Sequence, residues 1–236
     1  MDVPKDPFPR RYVVIPTWVA RPLLAITGVL MVAFVAIHMV GNLKILIDPA
    51  SMDAYAGWLR EVLVPFLPRG GLLWILRIVL LVAILLHVFC ALSVKLGARR
   101  TRTPGAKRRS VRGFLAGLML PTGVLIGLLL VGHLLDLTIG AFVASEAFAP
   151  PDPAFHAAAN VLASLSRPAA AAAYALFLVA LGLHLAHGLG LAFKDLGGTG
   201  RTSLRRAEIV GCAIALAIVL GDGAVLVRAL ATGGSP

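Results

Sequence analysis

Residues 169–193 read AAAAAYALFLVALGLHLAHGLGLAF, with no Asp, Glu, Lys or Arg among them and with two histidines, His184 and His187. At a rise of about 1.5 Å per residue, a helix of this length crosses the roughly 30 Å hydrocarbon core of a bilayer. No alternation of period two appears in it, so it is not a barrel strand. A helix is then the one way left for its backbone to satisfy its own donors and acceptors in lipid. An ionisable side chain inside such a helix is costly and marks function by default. The fold and the first functional clue therefore come from the same segment.

Four further stretches are long and apolar enough to span, at 22–41, 72–93, 113–137 and 207–230. The whole chain agrees with a membrane solvent. It is 236 residues long, 59% hydrophobic and 14% charged, with a mean hydropathy of +0.91. A soluble domain carries about 25% charged residues. The expected fold is all-α, a single integral membrane bundle of five transmembrane helices covering residues 1–236. Arg21-Pro22 is expected to open the first helix, since proline is tolerated at a first helical position. Pro121 is expected to kink the third. The N-terminal segment lacks the layout of a signal peptide, so the first span is expected to be retained. Residues 51–67, SMDAYAGWLREVLVPFL, are too polar to span and are expected to lie as an amphipathic helix at the interface.

The net charge of +11 would suggest nucleic acid if it formed one soluble face. Instead it clusters between spans. Lys95, Arg99, Arg100, Arg102, Lys107, Arg108, Arg109 and Arg112 lie between the second and third, with no acid among them. Lys5, Arg10, Arg11 and Arg21 precede the first span, and Lys194, Arg201, Arg205 and Arg206 follow the fourth. The remaining loops are balanced: Lys44, Arg60 and Arg69 face Asp48, Asp53 and Glu61, and Arg167 faces Glu146 and Asp152. This excludes a nucleic-acid partner and, by the positive-inside rule, places the N-terminus in the cytoplasm and the C-terminus outside a cell membrane.

Five of the six histidines fall in spans: His38, His87, His133, His184 and His187, while His156 is expected in a solvated loop. Measured from the cytoplasmic end by helical rise, His38 lies at roughly 24 Å and His133 at roughly 30 Å, whereas His87 lies at roughly 12 Å and His184 at roughly 15 Å. They sort into an outer and an inner pair, two bis-histidine sites stacked across the membrane. Neutral imidazole is a good axial ligand for haem iron, and a bis-His haem transfers electrons because it keeps no open position. His187, one turn beyond His184, is a rival ligand or a propionate contact. Gly123, Gly127, Gly132 and Gly182 either give a flat macrocycle room or serve ordinary helix packing.

Cys90 and Cys212 lie in spans too, which makes a disulfide framework unexpected. With His87 and His184 at similar depth they form an alternative ligand set, for a Rieske-type [2Fe–2S] cluster.

The blocks HMVGNLK (38–44), YAGWLR (55–60), HLLDLT (133–138) and LGLHLAHG (181–188) resemble the single-chain cytochrome b anchor of succinate dehydrogenase and fumarate reductase. The resemblance covers nearly the whole chain and includes the count of five helices. It implies two haem b groups, the outer held by His38 and His133 and the inner by His87 and His184. It also implies a quinone, expected to be menaquinone, and flavoprotein and iron–sulfur subunits on the cytoplasmic face, in a complex open to higher oligomers. The activity implied is electron transfer between succinate and quinone, with the succinate site in a partner subunit. Some members carry a glutamate near the fourth-helix histidine, but residues 171–193 contain no acid. Arg77 is a candidate propionate contact, and Tyr55, Trp58, Arg60, Glu61 and Asp136 are candidates for the quinone region. Asp222, in the fifth span, is left without an expected partner. Two rivals remain, a b-type anchor of another oxidoreductase and a transporter. The second would show internal repeats and interrupted helices, whereas no repeat is seen and only Pro121 interrupts a span.

Overall fold

A computed structural model describes residues 15–100, 111–150 and 155–234. Of the charges that set the expected topology, Lys5, Arg10, Arg11, Arg102, Lys107, Arg108, Arg109 and Asp152 lie outside the described residues.

The described chain is helical, with no strand. Its elements are α1 (Thr17–Ile47), α2 (Pro49–Glu61), α3 (Gly71–Arg100), α4 (Val111–His133) continued by a π-helical turn (Leu134–Ile139), α5 (Ala157–Leu165), α6 (Pro168–Asp195) and α7 (Arg201–Thr232). Five helices are long and apolar enough to cross a membrane: α1, α3, α4 with its π turn, α6 and α7. Few of their residues are buried inside the bundle. Ile78, Leu81, Val82, Leu85 and Leu128 are among the many large apolar side chains that face outward, as expected where lipid is the solvent.

The spans outrun their apolar cores. α1 begins at Thr17, not at Pro22, and runs through that proline. The donor missing at Pro22 is tolerable near a helix end, where other groups reach the freed carbonyl. The interfacial helix stops at Glu61, short of 67, because Pro65 disfavours helical geometry at the residue before it and Leu63 turns to φ 71°. α5 was not expected. It is a nine-residue amphipathic helix, with His156 at its N-cap, in the stretch expected to be a loop.

α1 and α6 form the centre. α3 packs on α1, α4 on α6, and α7 lies along both α6 and α1. Small residues let α6 and α7 close up: a Cβ on Gly211 would meet Leu189 at 2.9 Å, and one on Gly182 would meet Val219 at 2.7 Å. Gly182 therefore serves helix packing. By contrast, none of the pairs α1–α4, α3–α6 and α3–α4 makes more than marginal backbone contact among the described residues. The backbones of α1 and α4, and those of α3 and α6, thus stand apart with a space between them. The end where α3 finishes and α4 begins is called the basic end below, and the opposite one the distal end.

Candidate functional site: two imidazole pairs

Across that space the histidines meet in twos. His38 on α1 faces His133 on α4 with ring centres 6.1 Å apart and ring planes perpendicular. Nearer the basic end, His87 on α3 faces His184 on α6 at 6.4 Å and 57°. A metal gripped between two imidazoles at about 2.0–2.1 Å per bond, the zinc–imidazole length, sets ring centres about 6.2–6.4 Å apart once each ring's own radius is added. The His87–His184 pair stands at that separation and the His38–His133 pair just inside it. His184 rather than His187 is the α6 histidine whose ring faces His87.

A ligand also needs its lone pair aimed. Thr27 Oγ1 donates its single proton to the Leu23 carbonyl (2.7 Å) and lies 3.1 Å from His87 Nδ1. With that proton on the Leu23 carbonyl the hydroxyl can only accept from the ring, and the tautomer this matches carries its hydrogen on Nδ1 and keeps the lone pair on Nε2. Thr122 repeats this on α4: its hydroxyl donates to the Leu118 carbonyl at 2.6 Å and lies 3.0 Å from His184 Nδ1. At the distal level Tyr174 takes the same part. Its hydroxyl donates to Asp136 Oδ2 at 3.0 Å and lies 3.3 Å from His133 Nδ1. Partners of this kind fix tautomer and ring orientation in metal-binding histidines. His38 is steadied by stacking on Phe34, with centroids 5.5 Å apart.

The threonines expose a repeat that is easily overlooked in the sequence. TGVL occurs at 27–30 and at 122–125, and in each case a histidine follows the threonine by eleven residues, His38 and His133. The glycines of the two motifs match as well. A Cβ on Gly28 would sit 3.3 Å from His87 Cε1, and one on Gly123 would sit 3.4 Å from His184 Cε1. Thr-Gly thus makes one acceptor and one gap for the same ring. The same motif, at the same spacing from a histidine, thus recurs on α1 and on α4, against the expectation of no repeat. Parallel repeats also build some transporters, so ring separation, not the repeat, carries the functional argument. Eleven residues of helix place the two levels about 16 Å apart.

The residues fit haem. Each pair brings two imidazoles from different helices face to face, and Gly127 and Gly132 on α4 face open space, with nothing within 4 Å of where a Cβ would stand. They do not fit the cluster. Cys90 is buried and Cys212 exposed, and among the described residues no three His, Cys, Asp or Glu side chains converge on a metal position. Cys90, Cys212, His87 and His184 therefore do not form one ligand set.

Beside His133 lies a hollow of about 390 Å³ bordered by Gly132, Asp136, Arg167, Tyr174 and Phe177. The π turn that follows His133 swings Asp136 into the protein, where it is 4% exposed. Arg167 pairs with it at 2.9 Å, and the Ser164 hydroxyl donates to it. The other quinone-region candidates lie elsewhere. Tyr55 packs into Gly41, where a Cβ would come within 2.8 Å of its ring, and stacks on Trp58; Glu61 pairs with Arg69 at 3.2 Å. Arg60 and Arg77 line a separate cleft beneath Trp74. Asp222 does have a partner: Asn42 Nδ2 donates to it at 3.0 Å.

Compared with known proteins, the chain matches no family model, no curated protein and no solved structure.

Proposed function

We propose that this chain is the quinone-reactive cytochrome b anchor of a succinate:quinone oxidoreductase in a cell membrane. The observation that carries the reading is the pair of imidazole couples, with ring centres 6.1 and 6.4 Å apart, close to what a metal held between two imidazoles needs, on helix pairs whose backbones stand apart. The sequence blocks that resemble the succinate dehydrogenase and fumarate reductase anchor select this complex from other haem b carriers.

In this reading His38 and His133 hold one haem b, and His87 and His184 the other. When bound, the two haems supply one-electron transfer through a layer that excludes ions. The chain's own residues do the rest. Thr27, Thr122 and Tyr174 hold the Nδ1 protons, so that each of their histidines presents Nε2. The basic end receives the flavoprotein and iron–sulfur subunits, and the positive-inside bias puts it in the cytoplasm. Menaquinone enters the hollow beside His133, where the Tyr174 hydroxyl and the Asp136 carboxylate are the polar groups within reach. Reduction of a quinone consumes two protons, and Arg167, linking Asp136 to the Val143 carbonyl near the surface (2.8 Å), marks their entry from the distal side.

The test is purification of the tagged chain from its native membrane in a mild detergent. A flavoprotein and an iron–sulfur protein are expected to come with it, and succinate is expected to reduce the bound haem. Haem that responds to hydrogen or formate but not to succinate would assign the chain to a different oxidoreductase.

A further inference from the structure

The geometry points to a second binding site, at the distal interface, where Arg60, Arg69 and Arg77 converge on the phosphate of an anionic phospholipid. Their cleft, of about 350 Å³, is completed by Leu73, Trp74 and Phe155. Two of the guanidiniums lie over one ring: Arg60 at 4.6 Å and Arg69 at 6.0 Å from the Phe155 centroid. Arg77 lies at 4.8 Å over Trp74. The arginines come from α2, from the α2–α3 connection and from the second turn of α3, so the cluster is made by the fold and not by one charged run.

Among the described residues the three positive charges have one carboxylate paired with them, Glu61 on Arg69, and that pair is solvent-exposed on both sides, where ion pairs contribute little. Arg60 spends one donor on the Ala56 carbonyl at 2.8 Å. Burial, and then the neighbouring charges of Arg77 and Arg69, push the Arg60 guanidinium below its ordinary range. A group held together against its own repulsion is completed by an anion, and guanidiniums match phosphate oxygens in paired geometry.

The surroundings say which anion. Trp74 is 62% exposed and stands on the outward face of a span, with Ile75 and Ile78 beside it. Phe66, 89% exposed, extends from the adjoining connection. Tryptophan and arginine at this position mark headgroup level. The cleft therefore opens sideways to lipid, and a phosphodiester carrying acyl chains suits it better than a free ion. The positive charge also repels choline and ethanolamine headgroups, which favours a lipid of net negative charge. The cleft does not touch the hollow beside His133, so this inference stands or falls independently of the proposed redox function.

The experiment uses the full chain in nanodiscs of phosphatidylcholine alone or doped with phosphatidylglycerol. Readouts are the lipid retained through detergent washing, by mass spectrometry, and the thermal midpoint. Wild type is expected to retain phosphatidylglycerol selectively and to unfold at higher temperature in its presence. Arg60→Gln and Arg77→Gln are each expected to weaken retention about fivefold, the effect of one basic residue near an anionic surface. Arg77→Lys, which keeps the charge but not the paired donors, is expected to keep the preference for phosphatidylglycerol with weaker retention than wild type, and serves as the folding control. Equal retention of both lipids by wild type would overturn the proposal. So would a stabilisation reproduced in full by inorganic phosphate alone, which would make this a free-anion site.

Discussion

The four paired histidines differ in what stands behind them, and that difference is measurable. A hydroxyl that accepts from Nδ1–H makes the imidazole a stronger donor to a metal on Nε2 and favours the oxidised state. Thr27→Val and Thr122→Val keep side-chain volume and remove the acceptor. Each is expected to raise the midpoint potential of the basic-end haem by tens of millivolts, and to lower its affinity about 10-fold or more, with the distal haem unchanged. Tyr174→Phe is expected to do the reverse, moving only the distal centre. Its effect should be the larger, because Tyr174 is itself polarised by the Asp136 carboxylate. Redox titration of the two haems, followed optically, reads both outcomes. Equal shifts at both levels would mean that the hydroxyls act on the bundle and not on their own histidines.

At the scale of elements, the Thr-Gly steps of α1 and α4 are expected to be intolerant of bulk. Gly28→Leu and Gly123→Leu drive a side chain into the His87 or His184 ring, already 3.3 and 3.4 Å from a bare Cβ. Each variant should lose the basic-end haem and keep the distal one, giving one haem per chain by extraction assay. Gly140 closes the π turn at φ 72°, and a Cβ there would lie 2.1 Å from Phe148. Gly140→Ala therefore combines left-handed strain of about 1–2 kcal/mol with a steric clash. A lowered thermal midpoint together with loss of distal haem is expected, since Asp136 and His133 flank that turn.

The five spans were legible in the sequence because hydropathy alone separates lipid-crossing helices from their loops. The pairing of histidines was legible because helical rise converts residue number into depth. α5 was not, since nine residues with two polar positions, Asn160 and Ser164, buried against the protein look like loop. Asn160 is held by the Ala149 backbone on both its amide groups, a contact that only folding creates. The π turn leaves no mark on composition either. Tyr174 was missed for a similar reason: one hydroxyl in a run of alanines says nothing until His133 and Asp136 are seen beside it. The Thr-Gly repeat was visible throughout, but its meaning needed the partner helix.

The molecule as a whole is a bundle of five membrane-length helices whose basic residues cluster in the segments at one end. If that end is cytoplasmic, trypsin is expected to cut the arginine-rich segment 101–110 in inverted vesicles and to leave it intact in spheroplasts. Cleavage from the outside would invert the topology and move the proposed quinone hollow to the cytoplasmic face. Redox function requires only that both levels be filled. Haem content and the reduced-minus-oxidised spectrum of the purified chain test this most directly. The account expects two low-spin haem b per chain, falling to one in His133→Ala and in His184→Ala. A colourless protein, broad iron–sulfur absorption, or a haem count unmoved by either substitution would contradict it.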